Sequence, residues 1–119
     1  MIQLCQTCKI YPSGTAAMVE MDLYINSGEF VFIVGSSGAG KSTLMKLLLC
    51  EELPSSGTLL VAGKELNSLK PEEVPFYRRS LGVIFQDFRL LPNKTVYENV
   101  AFAMEVIGAP RREVLVRVN

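Results

Sequence analysis

The residues best suited to chemistry stand together from Gly35 to Thr43, GSSGAGKST, which is a glycine, four residues and then Gly-Lys-Ser. That spacing wraps backbone amides around a polyphosphate. Gly35, Gly38 and Gly40 admit backbone angles closed to other residues, so consecutive amides across Ser36, Ser37 and Ala39 can turn inward. Lys41 adds a point charge toward the β and γ phosphates. The Ser42 hydroxyl suits magnesium, and Thr43 offers a hydroxyl to the α-phosphate. A helix beginning at Lys41 would add its positive end to the anion site. A ligand-free glycine turn would not need Lys and Ser directly after its last glycine. The implied ligand is a nucleoside triphosphate with magnesium.

Such a loop serves several chemistries, so the loop alone names none of them. Asn93-Lys94-Thr95-Val96 begins like a guanine-reading motif, but Val96 stands where an aspartate would pair with the base edge. No run of arginines follows the loop, as a small-molecule kinase lid would require. Cys5 and Cys8 have zinc-ligand spacing, yet no second pair or histidine completes a tetrahedral site. Residues three apart on a regular strand also face opposite sides, which disfavours chelation. Arg111, Arg112 and Arg117 read as a solvated helix face.

The chain has 119 residues, 49% of them apolar, and a formal charge of zero. That is enough for a packed core, and it provides no global field for nucleic acid or anionic lipid. No stretch approaches the length needed to span a bilayer and no basic-then-apolar leader opens the chain, so a cytoplasmic location is expected. Three cysteines without a leader are expected to be reduced thiols.

These groups need strands and helices to position them. Ile2 to Tyr11 reads as a strand ending at Tyr11-Pro12-Ser13-Gly14. Val19, Met21, Leu23 and Ile25 have the period of a second, half-wet strand. Phe30 to Val34 is an unbroken apolar run, expected to be a central strand covered on both faces. The loop follows it, and then a helix expected over Lys41 to Glu52, apolar almost all round and hence buried. Thr58 to Ala62 reads as a strand turning at Gly63. Pro71 and Pro75 leave two helical turns around Phe76 to Arg79. Leu81 to Phe85 reads as a short buried strand with Gln86 at its end. Thr95 and Glu98 have capping-box spacing before an apolar helix stopped by Gly108 and Pro110. A last helix starts at Arg111.

Beyond the loop, Leu81 to Val100, LGVIFQDFRLLPNKTVYENV, resembles the Q-loop region of an ATP-binding cassette (ABC) ATPase. KIYPSGTAA resembles that family's opening strand and adenine-stacking loop. The resemblance implies an α/β P-loop NTPase fold with an N-terminal antiparallel β subdomain, and ATP with magnesium as cofactors. It makes Tyr11 the aromatic that lies on adenine, and Gln86 the residue that meets magnesium and the attacking water. It covers residues 1–119 as the N-terminal portion of an ATP-binding domain, ending before the signature segment, the catalytic glutamate and the switch histidine. The chain alone is therefore expected to bind ATP and not to turn it over. EVPFYRRSLGVIFQDFRLLPNKTVYENVAFAMEVIG places the resemblance nearest the cell-division branch of the family. That implies homodimerisation of the complete protein and an FtsX-like membrane protein docked on Phe88 to Val100, holding the protein on the inner face of the plasma membrane. A lipoprotein or macrolide exporter subunit, or an inactive nucleotide-binding fragment, is the alternative.

Overall fold

Alternation of apolar and polar residues in the first quarter of the chain produces an antiparallel sheet, described in a computed structural model that covers every residue except Phe88 and Asn119. β1 (Ile2–Ile10) is central. β2 (Ala16–Ile25) pairs on one side and β3 (Ser56–Val61) on the other, with the two-residue β4 (Lys64–Glu65) outside β3. α1 (Lys41–Leu48) follows the glycine loop, and α2 (Val74–Arg78) follows a 3-10 turn at Leu66–Ser68. These elements belong to one compact unit, Met1–Leu81. A second unit, Gly82–Asn119, holds α3 (Val96–Val106) and α4 (Arg111–Val118).

β1 and β2 are not regular, and their irregularities decide which side chains point inward. Gln6 and Glu20 both take positive φ, 45° and 44°, at register shifts between Leu4 and Thr7 and between Thr7 and Lys9. Each shift is an extra residue on one strand, a β-bulge that slips the alternation by one. Met21, Leu23 and Ile25 keep the expected half-buried phase, but beyond Glu20 it slips, so Met18 is buried and Val19 exposed. On β1 the same device buries Leu4, Thr7 and Lys9. The alternation therefore puts Cys5 and Cys8 on the same face, contrary to the expectation for a regular strand. All three cysteines are free thiols, and among the described residues no group of three or more His, Cys, Asp or Glu gathers.

Gly57 closes the bulge from the other side. It has φ +80°, and a Cβ there would lie 2.2 Å from the Gln6 carbonyl oxygen. Only glycine lets β3 approach β1 this closely. Inside the sheet, Leu4, Met18, Leu59 and Val61 pack with Leu44 and Leu47 of α1, Leu66, and Tyr77 of α2.

α1 is shorter than expected. It ends at Leu48, and Cys50 turns the chain at φ 53°. Its buried face is Thr43, Leu44 and Leu47, while Met45 is exposed. α2 holds its C-terminal end: the Tyr77 hydroxyl donates to the Leu48 carbonyl at 2.6 Å, and Arg78 Nε to that of Leu49 at 2.7 Å. Orphan carbonyls of a helix end are thus satisfied from a neighbouring element. Pro75 does not break α2 but lies in its first turn, where no amide donor is required.

Two expected strands are absent. Phe30 to Val34 joins no ladder, with Phe30 85% and Val34 87% exposed, and Phe30 meets Phe32 edge-on at 5.0 Å. Leu81 to Phe85 likewise forms no ladder, and Ile84 is wholly exposed. Apolar composition specifies burial, but a strand also needs a neighbour for its amides and carbonyls. Among the described residues none supplies one.

In the second unit the capping box forms. Thr95 Oγ1 accepts from the Glu98 amide at 3.2 Å, and Glu98 Oε2 accepts from the Thr95 amide at 2.7 Å. Asn99 stitches the preceding turn to α3, accepting from the Leu91 amide at 2.8 Å and donating to the Leu91 and Thr95 carbonyls. Gly108, at φ 77°, ends the helix as expected. The apolar positions of α3 are less buried than their number suggests: Ala101 is buried, whereas Val100, Phe102, Val106 and Ile107 are exposed.

Candidate functional site

The loop from Gly35 to Gly40 follows the Phe30–Val34 segment and delivers its last glycine as the N-cap of α1. Gly38 and Gly40 take φ +82° and +84°, the left-handed angles expected of them. Gly35 does not; it is glycine for space, because a Cβ there would sit 3.1 Å from that of Ala39. Gly40 has a second constraint, since its Cβ would lie 2.6 Å from the Ala17 carbonyl oxygen on β2. The Ala39 amide donates to the Ser36 carbonyl at 3.2 Å and tightens the turn, and the Leu44 amide donates to the Gly40 carbonyl at 2.8 Å and opens the helix.

Ser37, Gly38, Gly40, Lys41, Ser42 and Thr43 line an open concavity of about 430 Å³. Lys41, Ser42 and Thr43 form the first turn of α1, whose amides have no intrahelical acceptor and whose positive dipole end favours an anion. A larger concavity of about 540 Å³, lined by Lys64, Glu65, Ser68, Leu69, Glu73 and Phe76, carries two carboxylates and no glycine loop. Chemistry rather than size makes the glycine-loop concavity the candidate anion site.

Lys41 Nζ donates to the carbonyls of Gly35 and Ser36, at 2.7 and 2.6 Å, which holds the ammonium over the loop. Ser42 is exposed in the first turn of α1, free to meet a ligand, whereas Thr43 is buried. The Thr43 hydroxyl lies 3.3 Å from that of Tyr11. The structure thus brings together Tyr11 and the end of the loop, two features 32 residues apart in sequence. Gln86 belongs to the second unit, exposed at the turn it forms with Asp87.

Lys9 is a neighbour of Tyr11 that sequence reasoning missed. It is only 8% exposed, donates from Nζ to Glu52 Oε2 at 2.7 Å and to the Leu53 carbonyl at 2.8 Å, and lies 5.2 Å from the centre of the Tyr11 ring. Hydrogen bonding from Lys9 holds the Glu52 carboxyl below its ordinary range. The available signal was position: Lys9 precedes Tyr11 by two residues, and the bulge at Gln6 turns it inward.

Comparison with known proteins places the family and the fold. Residues 18–118 match the ABC transporter family. The cell-division ATP-binding protein FtsE of Bacillus subtilis is 52% identical over 108 residues, covering 91% of this chain and 47% of that protein. The methionine import ATP-binding protein MetN of Helicobacter acinonychis is 44% identical over 118 residues, 99% of this chain and 36% of the relative. Among solved structures, the dimeric post-hydrolysis state of the ATP-binding cassette MJ0796, bound to ADP and Pi, superposes with a TM-score of 0.88 at 32% identity, covering 99% of this chain and 54% of that one. The chain thus spans about half the length of its FtsE relative and less of MetN. A phosphate loop capping α1 beside an antiparallel β subdomain is part of the ABC-type ATP-binding core, and the chain belongs to the ABC transporter family.

Proposed function

We propose that this chain is the nucleotide-binding part of an ABC ATPase subunit, and that it takes ATP with magnesium at the Gly35–Thr43 loop. The concavity lined by Ser37 to Thr43 at the start of α1, with Lys41 held over it, is the observation that carries the reading. In this role the loop amides and Lys41 bind the phosphates, and Tyr11 stacks on adenine. Magnesium supplies charge neutralisation between the β and γ phosphates and prefers phosphate, hydroxyl and water oxygens. The exposed Ser42 hydroxyl fits that donor set, and Gln86 is the residue that the family resemblance assigns to magnesium. Titration of Mg-ATP by calorimetry should show binding by the wild type and none by Lys41→Ala. Equal affinity in the two would overturn the reading.

Residues 1–119 act here as the N-terminal portion of an ATP-binding domain. The relatives matched are about twice as long or more, and Phe30–Val34 and Leu81–Phe85 join no ladder and include exposed apolar side chains of the kind a further layer would cover. Hydrolysis needs a group to position water, together with charge stabilisation at the γ-phosphate. Steady-state phosphate release by this chain alone should be negligible.

For the complete protein, cell division with an FtsX-like membrane partner is the finer reading. Its support is 52% identity to an FtsE, against 44% to a methionine importer subunit. The docking surface is Phe88 to Val100; Phe88 lies outside the described residues, but Leu90, Val96 and Val100 are exposed around a groove of about 320 Å³, and Tyr97 is exposed as well. Among the described residues no helix is long and apolar enough to cross a membrane. Location at the inner membrane face therefore rests on that partner, and co-purification with an exporter permease instead would reassign the subunit.

A further inference from the structure

The Lys9–Glu52 pair has no part in the phosphate site, yet it is built around Tyr11, whose hydroxyl meets Thr43 at the end of the loop. Lys9 Nζ is held from two directions, by Glu52 Oε2 at 2.7 Å and by the Leu53 carbonyl at 2.8 Å, which leaves the ammonium 5.2 Å from the centre of the Tyr11 ring. At that distance a desolvated ammonium is attracted to the ring face. The far end of the same ring is set by its hydroxyl, 3.3 Å from Thr43 Oγ1. The backbone before it is fixed by Ser55, whose hydroxyl accepts from the Ile10 amide at 2.9 Å and donates to the Ile10 carbonyl at 3.2 Å. The backbone after it closes a turn, with the Tyr11 amide donating to the Thr15 carbonyl at 2.9 Å.

These restraints share one origin. Thr43 lies in the first turn of α1, and Glu52, Leu53 and Ser55 lie in the segment that leaves its last turn. The Tyr11 ring is therefore referenced to both ends of the helix whose N-terminus faces the phosphate concavity. With the ammonium over one face, the opposite face of the ring is the one left for a base.

We infer that Lys9, braced by Glu52, is a positioning residue for base recognition: it fixes the Tyr11 ring at a set place relative to the phosphate loop and so couples adenine stacking to phosphate binding. The inference rests on the reading of Tyr11 as the adenine platform. It assigns Lys9 no contact with the nucleotide, and it predicts that the pair matters only for ligands that carry a base.

The test compares Mg-ATP with magnesium tripolyphosphate, which presents the same kind of phosphate chain without a base, by calorimetry on the whole chain. Lys9→Met keeps the length of the side chain and removes its charge. It should weaken ATP roughly fivefold while leaving tripolyphosphate unchanged. Glu52→Gln should weaken ATP in the same direction, and Lys9→Arg, which keeps the cation, should restore affinity to within about twofold. Unchanged tripolyphosphate binding also shows that a variant is folded. If Lys9→Met binds ATP as the wild type does, or loses both ligands equally, the pair is structural and the inference fails. Tyr11→Ala separates the two readings. Should it leave ATP affinity intact, the adenine platform itself is wrong and the phosphate site still stands. Should it weaken ATP while Lys9→Met does not, only the positioning role falls.

Discussion

Gly40→Ala is the sharpest perturbation of the site, because the new methyl group is opposed by two separate features of the structure. The residue sits at φ +84°, where a Cβ costs about 1–2 kcal/mol. The same Cβ would stand 2.6 Å from the Ala17 carbonyl oxygen, well inside contact distance, and both atoms belong to backbone that cannot rotate away. Overpacking of this kind costs a further ~1–3 kcal/mol. The two add to about 2–5 kcal/mol, and the chain can relieve them only by moving the loop off the edge of β2 or by abandoning the left-handed cap. Either response spoils the amide geometry of the concavity, and restoring it on binding costs up to that strain, so ~2 kcal/mol lost in this way raises the Kd for Mg-ATP about 30-fold. Gly63→Ala is the control. Gly63 has φ +80° in the turn between β3 and β4, with nothing within 4 Å of an added methyl group, so it incurs the backbone strain alone and leaves ATP affinity unchanged. Calorimetry measures the affinities and urea unfolding the stabilities. Wild-type ATP affinity in Gly40→Ala, or a stability loss no greater than that of Gly63→Ala, would refute the steric argument.

Other substitutions probe what supports the site. Tyr77→Phe leaves the Leu48 carbonyl without its donor and should lower stability by about 1–2 kcal/mol in urea unfolding, although the ring and its packing are kept. Burial pushes the Tyr77 hydroxyl up to about 12, so its donor role is constant over the accessible pH range. Thr95→Ala removes the side-chain half of the capping box and should destabilise α3 by about 1 kcal/mol, visible as faster amide exchange in its first turn. Glu98 is held below its ordinary value of 4.5, first by the Thr95 amide and then by the Thr95 hydroxyl. A depressed folded-state value means that the unfolded chain binds the proton more readily. The Glu98 contribution is thus complete above the ordinary value and is lost as pH falls through the depressed one. Glu98→Gln, which can still accept in the capping box, should flatten that part of the acid-side decline in α3 protection; an unaltered profile would count against it.

What could be read in the linear chain depended on chemistry that is local. The glycine loop, the capping box at Thr95 and Glu98, and the stop at Gly108 are each determined within a few residues, by φ angles and by side chains that reach their own backbone. The loop therefore carried its ligand class with no tertiary information, and the segments around Tyr11 and Gln86 carried the family resemblance. Periodicity located β1, β2 and β3 for the same reason, but it lost phase at Gln6 and Glu20. A bulge is defined by the partner strand, and Gly57 reveals its purpose only once the Gln6 carbonyl is beside it.

Tertiary structure alone decided the rest. Phe30–Val34 is apolar enough for a central strand, yet pairing is a property of two segments, and no described segment pairs with it. Lys9 looks like an ordinary surface lysine until the bulge turns it inward, to Glu52 at 43 residues' distance and to the ring of Tyr11. Thr43, which lines the concavity, also sets its hydroxyl 3.3 Å from that of Tyr11. Local rules made the phosphate cradle. Long-range contacts, which no spacing along the chain encodes, tied that cradle to the aromatic beside it.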